Sequence, residues 1–162
     1  MKELFIEYGY VSLNKYGEEL CGDNVEGVTV DGYTTLVLAD GLGSGVKANI
    51  LSTLSSKILC TMVSNNIPIE DCIETMIQTL PVCKVRGVAY STFSVIHVDS
   101  AGHGYLFEFD NPQAIYYHDG HCIDFDRKPL DVLGKKVYHS ELSLCDGDVV
   151  MVMSDGTLPA GI

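Results

Sequence analysis

A change of period is the strongest constraint on what this chain can fold into. Over residues 46–63 the apolar side chains Ile50, Leu51, Leu54, Ile58, Leu59 and Met62 recur at intervals of three and four, and the run stops at Asn65-Asn66. Pro68, Glu70 and Asp71 then open a second helical run, in which Ile69, Ile73, Met76, Ile77 and Leu80 keep the period until Pro81. Strand patterns lie on both sides of this helical pair. Ahead of it, residues 4–13 and 25–39 are rich in Val, Tyr, Thr and Leu, and Asp31-Gly32 splits the second stretch as a two-residue hairpin. Behind it, residues 90–99, 104–109, 115–118, 122–125, 137–144 and 148–154 read as short strands. Asn111-Pro112, Asp119-Gly120 and Asp146-Gly147 mark turns between them. Strands in two blocks around a helical hairpin, without steady strand and helix alternation, predict an α+β fold with antiparallel sheets rather than a doubly wound parallel one.

No repeat or low-complexity linker divides the 162 residues, so 1–162 is expected to be one domain. A chain of this size buries about two-thirds of its unfolded surface. Its formal charge of -12 would repel a phosphate backbone, and no basic patch offsets it, so nucleic acid is not an expected partner. The longest apolar runs are far below the roughly 20 residues that span a bilayer, so no membrane segment is expected. The first residues lack a basic stretch followed by an apolar one, and a cytoplasmic location is the expectation. The six cysteines form no Cys-x-x-Cys pair and have no His at zinc-ligand spacing. They read as reduced, mostly apolar positions.

The residues able to carry chemistry are acids beside glycine. Asp23 follows Gly22 ahead of a strand, Asp40-Gly41 ends a strand and opens the stretch Leu42-Gly43-Ser44-Gly45, and Asp155-Gly156 ends the last strand. A carboxylate at a strand exit is held by the sheet while its head group reaches out, and the following Gly exposes its carbonyl oxygen. Such a set of oxygens suits a hard cation such as Mg2+ or Mn2+. Plain Asp-Gly turns are the alternative, and Gly41-x-Gly43-x-Gly45 before a helix also permits a phosphate cradle.

Taken in order, Gly22-Asp23-Asn24, the segment Leu38-Ala39-Asp40-Gly41-Leu42-Gly43-Ser44-Gly45-Val46-Lys47-Ala48, Tyr90-Ser91-Thr92-Phe93-Ser94, Asn111-Pro112, and Asp146-Gly147-Asp148 leading to Met153-Ser154-Asp155-Gly156 form a recognisable series. The series resembles the stage II sporulation protein E branch of the PPM (PP2C-type) metal-dependent serine/threonine phosphatases. The resemblance implies two antiparallel sheets packed face to face with helices outside, the helix pair covering one sheet. It implies that Asp40 contacts both of two Mn2+ or Mg2+ ions, that the Gly41 carbonyl binds one, and that Asp155 binds the other. Asp23 would hold metal-bound water from behind. Asn24 reads as strand-edge capping, and Ser91 and Thr92 as structural.

The implied reaction is hydrolysis of a phosphoserine or phosphothreonine ester by a metal-activated water, on a bacterial signalling protein such as an anti-sigma-factor antagonist. Two departures stand out. Ser94 occupies a position where some relatives carry an aspartate. The family also has a further metal-binding aspartate after its Ser-Asp-Gly motif, whereas this chain ends at Ile162, where a helix should be starting; a truncated C-terminal part is the expectation. A cysteine phosphatase is not expected, because Cys83 and Arg86 are wrongly spaced. His97, His103, His118, His121 and His139 are candidate acids for the leaving group, each with a competing structural role. The reading from another class is a non-catalytic domain that keeps the PPM fold and binds a partner protein.

Overall fold

The computed structural model describes residues 3–14, 16–17, 19–43, 45–80 and 91–157. Ser44, Cys83, Arg86, Tyr90 and the final residues 158–162, on which some expectations fell, lie outside them. In chain order the elements are β1 (Asp23–Val30), β2 (Tyr33–Gly41), α1 (Gly45–Ser64), α2 (Ile69–Thr79), β3 (Ser91–Asp99), β4 (His103–Phe109), β5 (Ile115–His118), β6 (His121–Ile123), β7 (Arg127–Val132), β8 (Lys135–Ser143) and β9 (Val149–Met151). A 3-10 turn, Asp155–Thr157, follows. One sheet has six strands in the order β1-β2-β3-β4-β8-β7, the other three in the order β6-β5-β9, and every pairing is antiparallel. The β1–β2 hairpin turns at Asp31-Gly32, both with positive φ, as a primed two-residue turn requires.

Period-two alternation gives the large sheet two apolar faces. Val37, Ala39, Phe93, Val95, Phe107, Phe109 and Val137 cluster with Leu59, Val63, Ile73, Met76 and Ile77 of the helix pair. The opposite residues, Ile96, Val98, Leu106 and Leu142, cluster with Ala114, Phe125, Val150 and Val152 from the second sheet and its connections. Leu59 is fully buried in the first of these layers. Leu59→Ala should therefore lower unfolding free energy by about 2–5 kcal/mol, measured from urea midpoints.

Four sequence expectations are corrected. Residues 4–13 are not a strand: Leu4 N–H donates to the Ser100 carbonyl at 2.6 Å, Ile6 joins the second core, and the Tyr8 ring fills the space over Gly27. Leu4, Ile6 and Tyr8 make a strap over the sheet face and not a paired edge, while Phe5, Tyr10, Val11 and Leu13 are exposed. β7 was not anticipated, because Pro129 breaks the strand pattern. It is an edge strand, where a missing N–H is tolerated, and its turn to β8 runs through Leu133-Gly134, both at positive φ without the usual Asn or Asp. Buried Glu108 secures it, accepting from Arg127 Nε at 3.0 Å and from the Ala114 N–H at 2.8 Å. On α1, Ile50, Leu54 and Ile58 are exposed, and the buried side is Ala48, Ser52, Ser55, Ser56, Leu59 and Val63. Small residues let the helix lie close to the sheet, and Ser55 and Ser56 satisfy their hydroxyls on the carbonyls of Leu51 and Ser52 at 2.8 and 2.9 Å. Asn24, finally, caps nothing at the strand edge; its amide donates to Ser56 Oγ at 2.6 Å and ties β1 to α1.

Candidate metal centre

Asp23 opens β1 and Asp40 nearly closes β2, and the register makes them Cα partners, so both carboxylates leave the same face at one end of the hairpin. The sequence places them 17 residues apart (40 − 23), and the Asp31-Gly32 turn brings them side by side. The third acid arrives from the other sheet. After β9 the chain runs through Ser154 into the 3-10 turn that begins with Asp155. Buried Ser154 donates its hydroxyl to Asp23 Oδ2 at 2.6 Å and so clamps this segment to β1. Ser154 carried no expected role of its own; its place beside Asp155 in the Ser-Asp-Gly motif was the one available signal.

Asp40 lies between the other two acids. Its carboxyl is pushed up from the ordinary 3.8 to about 8, first by burial, then by Asp23 and by Asp155. Ionised carboxylates set this close to Asp40 repel its charge, and a divalent cation relieves that repulsion by taking the place of the proton. The donor set is all oxygen, as Mg2+ and Mn2+ prefer.

Gly41 is fixed by close packing. Its N–H donates to the Gly22 carbonyl at 2.9 Å, and a Cβ built on it would stand 2.0 Å from the Ala48 carbonyl oxygen. Gly43 and Gly45 take positive φ where β2 turns into α1, and Asn49 on the first turn donates to the Cys21 carbonyl at 2.8 Å. On the other side of β2, Thr92 is the Cα partner of Asp40. Its hydroxyl donates to Asn111 Oδ1 at 2.7 Å, and Asn111 Nδ2 donates to Ser94 Oγ at 3.0 Å. Ser94, where some relatives were expected to carry an aspartate, is thus engaged by Asn111, a residue read from sequence only as a turn.

The histidines lie elsewhere. His97 stacks on Tyr33 and bonds Thr35 Oγ1 at 2.8 Å, with burial pushing its pKa down; His139 sits against Tyr105 and Phe107; His118 pairs with Asp148. His103 approaches Ser143, and His121 is paired with His118 across a hairpin.

The Stage II sporulation protein E (SpoIIE) family model matches residues 30–160. The chain belongs to this family. Asp23 precedes the matched segment, yet the register sets it directly against Asp40 inside it. Among solved structures, the PP2C phosphatase domain of SpoIIE from Bacillus subtilis, with a fragment of its regulatory domain, superposes with a TM-score of 0.77 at 19% identity, covering 90% of this chain and 44% of that one. RsbX in complex with magnesium gives 0.69 at 24% identity, covering 93% of this chain and 74% of that one. The RsbU and RsbW domains of Rv1364c from Mycobacterium tuberculosis give 0.68 at 17%, covering 85% and 40%. No curated protein sequence matches the chain. The fold of this SpoIIE-family chain is that of the PP2C-type phosphatases, two antiparallel sheets with the helix pair over one of them. Among the described residues no helix is long and apolar enough to cross a membrane.

Proposed function

We propose that residues 1–162 form a metal-dependent protein serine/threonine phosphatase domain acting on phosphoserine or phosphothreonine of a bacterial signalling protein. One observation carries the reading: Asp23 and Asp40 of the β1–β2 hairpin and Asp155 of the turn after β9, three separate stretches of sequence, meet around one half-buried carboxyl. In this reading Asp40 would hold two Mn2+ or Mg2+ ions, the Gly41 carbonyl and Asp155 would each hold one, and Asp23 would orient water at the site. Bound ions of this kind polarise a phosphoryl oxygen and acidify water near neutral pH. The chain's own part is to fix these oxygens at the ends of β1 and β2 and on the 3-10 turn after β9, and to keep Asp23 aimed through the Ser154 hydroxyl. Support for the cation comes from the all-oxygen donor set and from RsbX, a structural neighbour described in complex with magnesium. Neighbours described as RsbU and RsbW domains and under the bacterial stressosome support a signalling protein as substrate, and the reading takes it to be a phosphorylated regulator in the cytoplasm, such as an anti-sigma-factor antagonist.

The test is phosphate release from a phosphoserine peptide. Release should require Mn2+ or Mg2+, stop with a chelator, and be lost in Asp155→Asn. Asp23→Asn should retain more, since losing an outer-shell contact costs about 10–100-fold. Release that ignores both chelator and Asp155→Asn would remove the metal reading, and no release with either ion would leave a partner-binding domain.

A further inference from the structure

A second group of ligating side chains gathers at the far end of β9. Cys145 and Asp148 are the corners of one tight turn, closed by the Asp148 N–H on the Cys145 carbonyl at 3.1 Å, with Gly147 at positive φ between them. This places the two side chains next to each other, and His118 reaches them from the end of β5. Ligand atoms of His118, Cys145 and Asp148 all lie within 4.8 Å of one another. His118 Nδ1 is 2.6 Å from Asp148 Oδ1, and the Asp148 side chain is only 2% exposed. That carboxylate is also held by the Cys145 N–H at 2.8 Å and by the Tyr116 hydroxyl. The thiol and the imidazole are exposed, so an ion can reach them from solvent.

An imidazole, a thiolate and a carboxylate differ in kind from the all-oxygen set at Asp40. They suit a borderline cation, and three protein ligands with one position left to water is an established zinc arrangement. The hydrogen bonds from Tyr116 and the Cys145 backbone act as the outer contacts that orient a ligating carboxylate. We propose that His118, Cys145 and Asp148 form a second metal site, selective for Zn2+ and separate from the carboxylate centre. Asp148 directly precedes β9, and Ser154-Asp155 follow it. An ion here would pin the start of β9 to β5, steadying the strand that delivers Asp155.

Co2+ is the probe. The chelator-stripped protein, held in excess Mg2+, is titrated with Co2+ and followed by the near-ultraviolet thiolate-to-cobalt band. The band should saturate at one equivalent and vanish on adding one equivalent of Zn2+. Cys145→Ser should abolish it, and His118→Ala should weaken Zn2+ binding by more than the roughly 10-fold that a lost outer contact costs. The band should survive in Asp40→Asn, in Cys21→Ser beside the carboxylate centre, and in Cys122→Ser, which lies one register pair from His118–His121 and faces the other side of the hairpin. Cys145 is exposed, so its replacement leaves the core filled and the unchanged far-ultraviolet circular dichroism confirms folding. Absence of a band, its survival in Cys145→Ser, or its loss in Asp40→Asn overturns the proposal; persistence in Asp40→Asn with no phosphatase activity leaves the two sites independent.

Discussion

Asp40→Asn is expected to lose phosphatase activity by more than the 10–100-fold of an outer-shell change, and yet to raise the thermal stability of the metal-free protein at about pH 8. Both effects come from the same charge. For activity, Asp40 is the side chain proposed to bind both ions, and an amide cannot supply the negative charge that would keep two cations together. For stability, the carboxyl is pushed up from 3.8 to about 8 in the folded chain by burial and by Asp23 and Asp155. Between those values the folded state keeps a proton that the unfolded state has released, so the unfolded chain binds fewer protons. Stability of the metal-free protein then falls as pH rises through this window. Asn cannot ionise, so that loss disappears. Melting temperatures in chelator from about pH 5 to pH 9 should decline for the parent and stay flatter for Asp40→Asn, and Mn2+ should raise the parent more at the alkaline end. A parental protein that melts higher at pH 8 than at pH 5 without metal, or an Asp40→Asn protein with near-parental turnover, would contradict the assignment.

The acids stood out as candidates in the sequence because each sits beside a glycine, but Asp155, expected to end the last strand, instead opens the 3-10 turn after β9, and it is the register across the Asp31-Gly32 hairpin that sets Asp23 against Asp40. Sequence could not show what holds them. Ser154 reaches Asp23 across two sheets, and Asn111 links Thr92 with Ser94 through contacts between residues far apart in the chain. The helical hairpin was legible from its period, but the buried side of α1 was not. Hydrophobic spacing favours Ile50, Leu54 and Ile58, whereas the sheet takes Ala48, Ser52, Ser55 and Ser56, because only small side chains allow so close an approach. Strand β7 hid behind a proline, and its turn uses Leu133 in a conformation for which leucine gives no signal. The stretch 4–13 shows the reverse error: alternation there reflects Ile6 and Tyr8 packing onto a sheet face without a strand partner, and Tyr10, Val11 and Leu13 are exposed.

Gly41→Ala is the smallest change expected to have a large effect on both stability and chemistry. Gly41 is buried at the end of β2, and an added methyl would lie 2.0 Å from the Ala48 carbonyl oxygen, 2.7 Å from its carbon and 2.8 Å from its Cα. All three are backbone atoms in the first turns of α1, so no side chain can rotate away. Either α1 lifts from the sheet or the end of β2 bends. Lifting α1 opens the layer that contains Ala48 and Ser52 and strains the Asn49 bond to Cys21; bending β2 moves Asp40 out of register with Asp23. Overpacking of this kind costs typically 1–3 kcal/mol, and with backbone as the obstacle the cost should be at or above about 3 kcal/mol. A shift of about 1 Å at a reacting group costs roughly 100-fold in rate, so activity should fall even in the folded fraction. Gly156→Ala is the matched control: it neighbours Asp155, yet an added Cβ there meets nothing within 4 Å among the described residues. Urea midpoints and phosphate release should therefore be nearly parental for Gly156→Ala and strongly reduced for Gly41→Ala. Equal behaviour of the two variants would mean that the Gly41–Ala48 approach does not position Asp40.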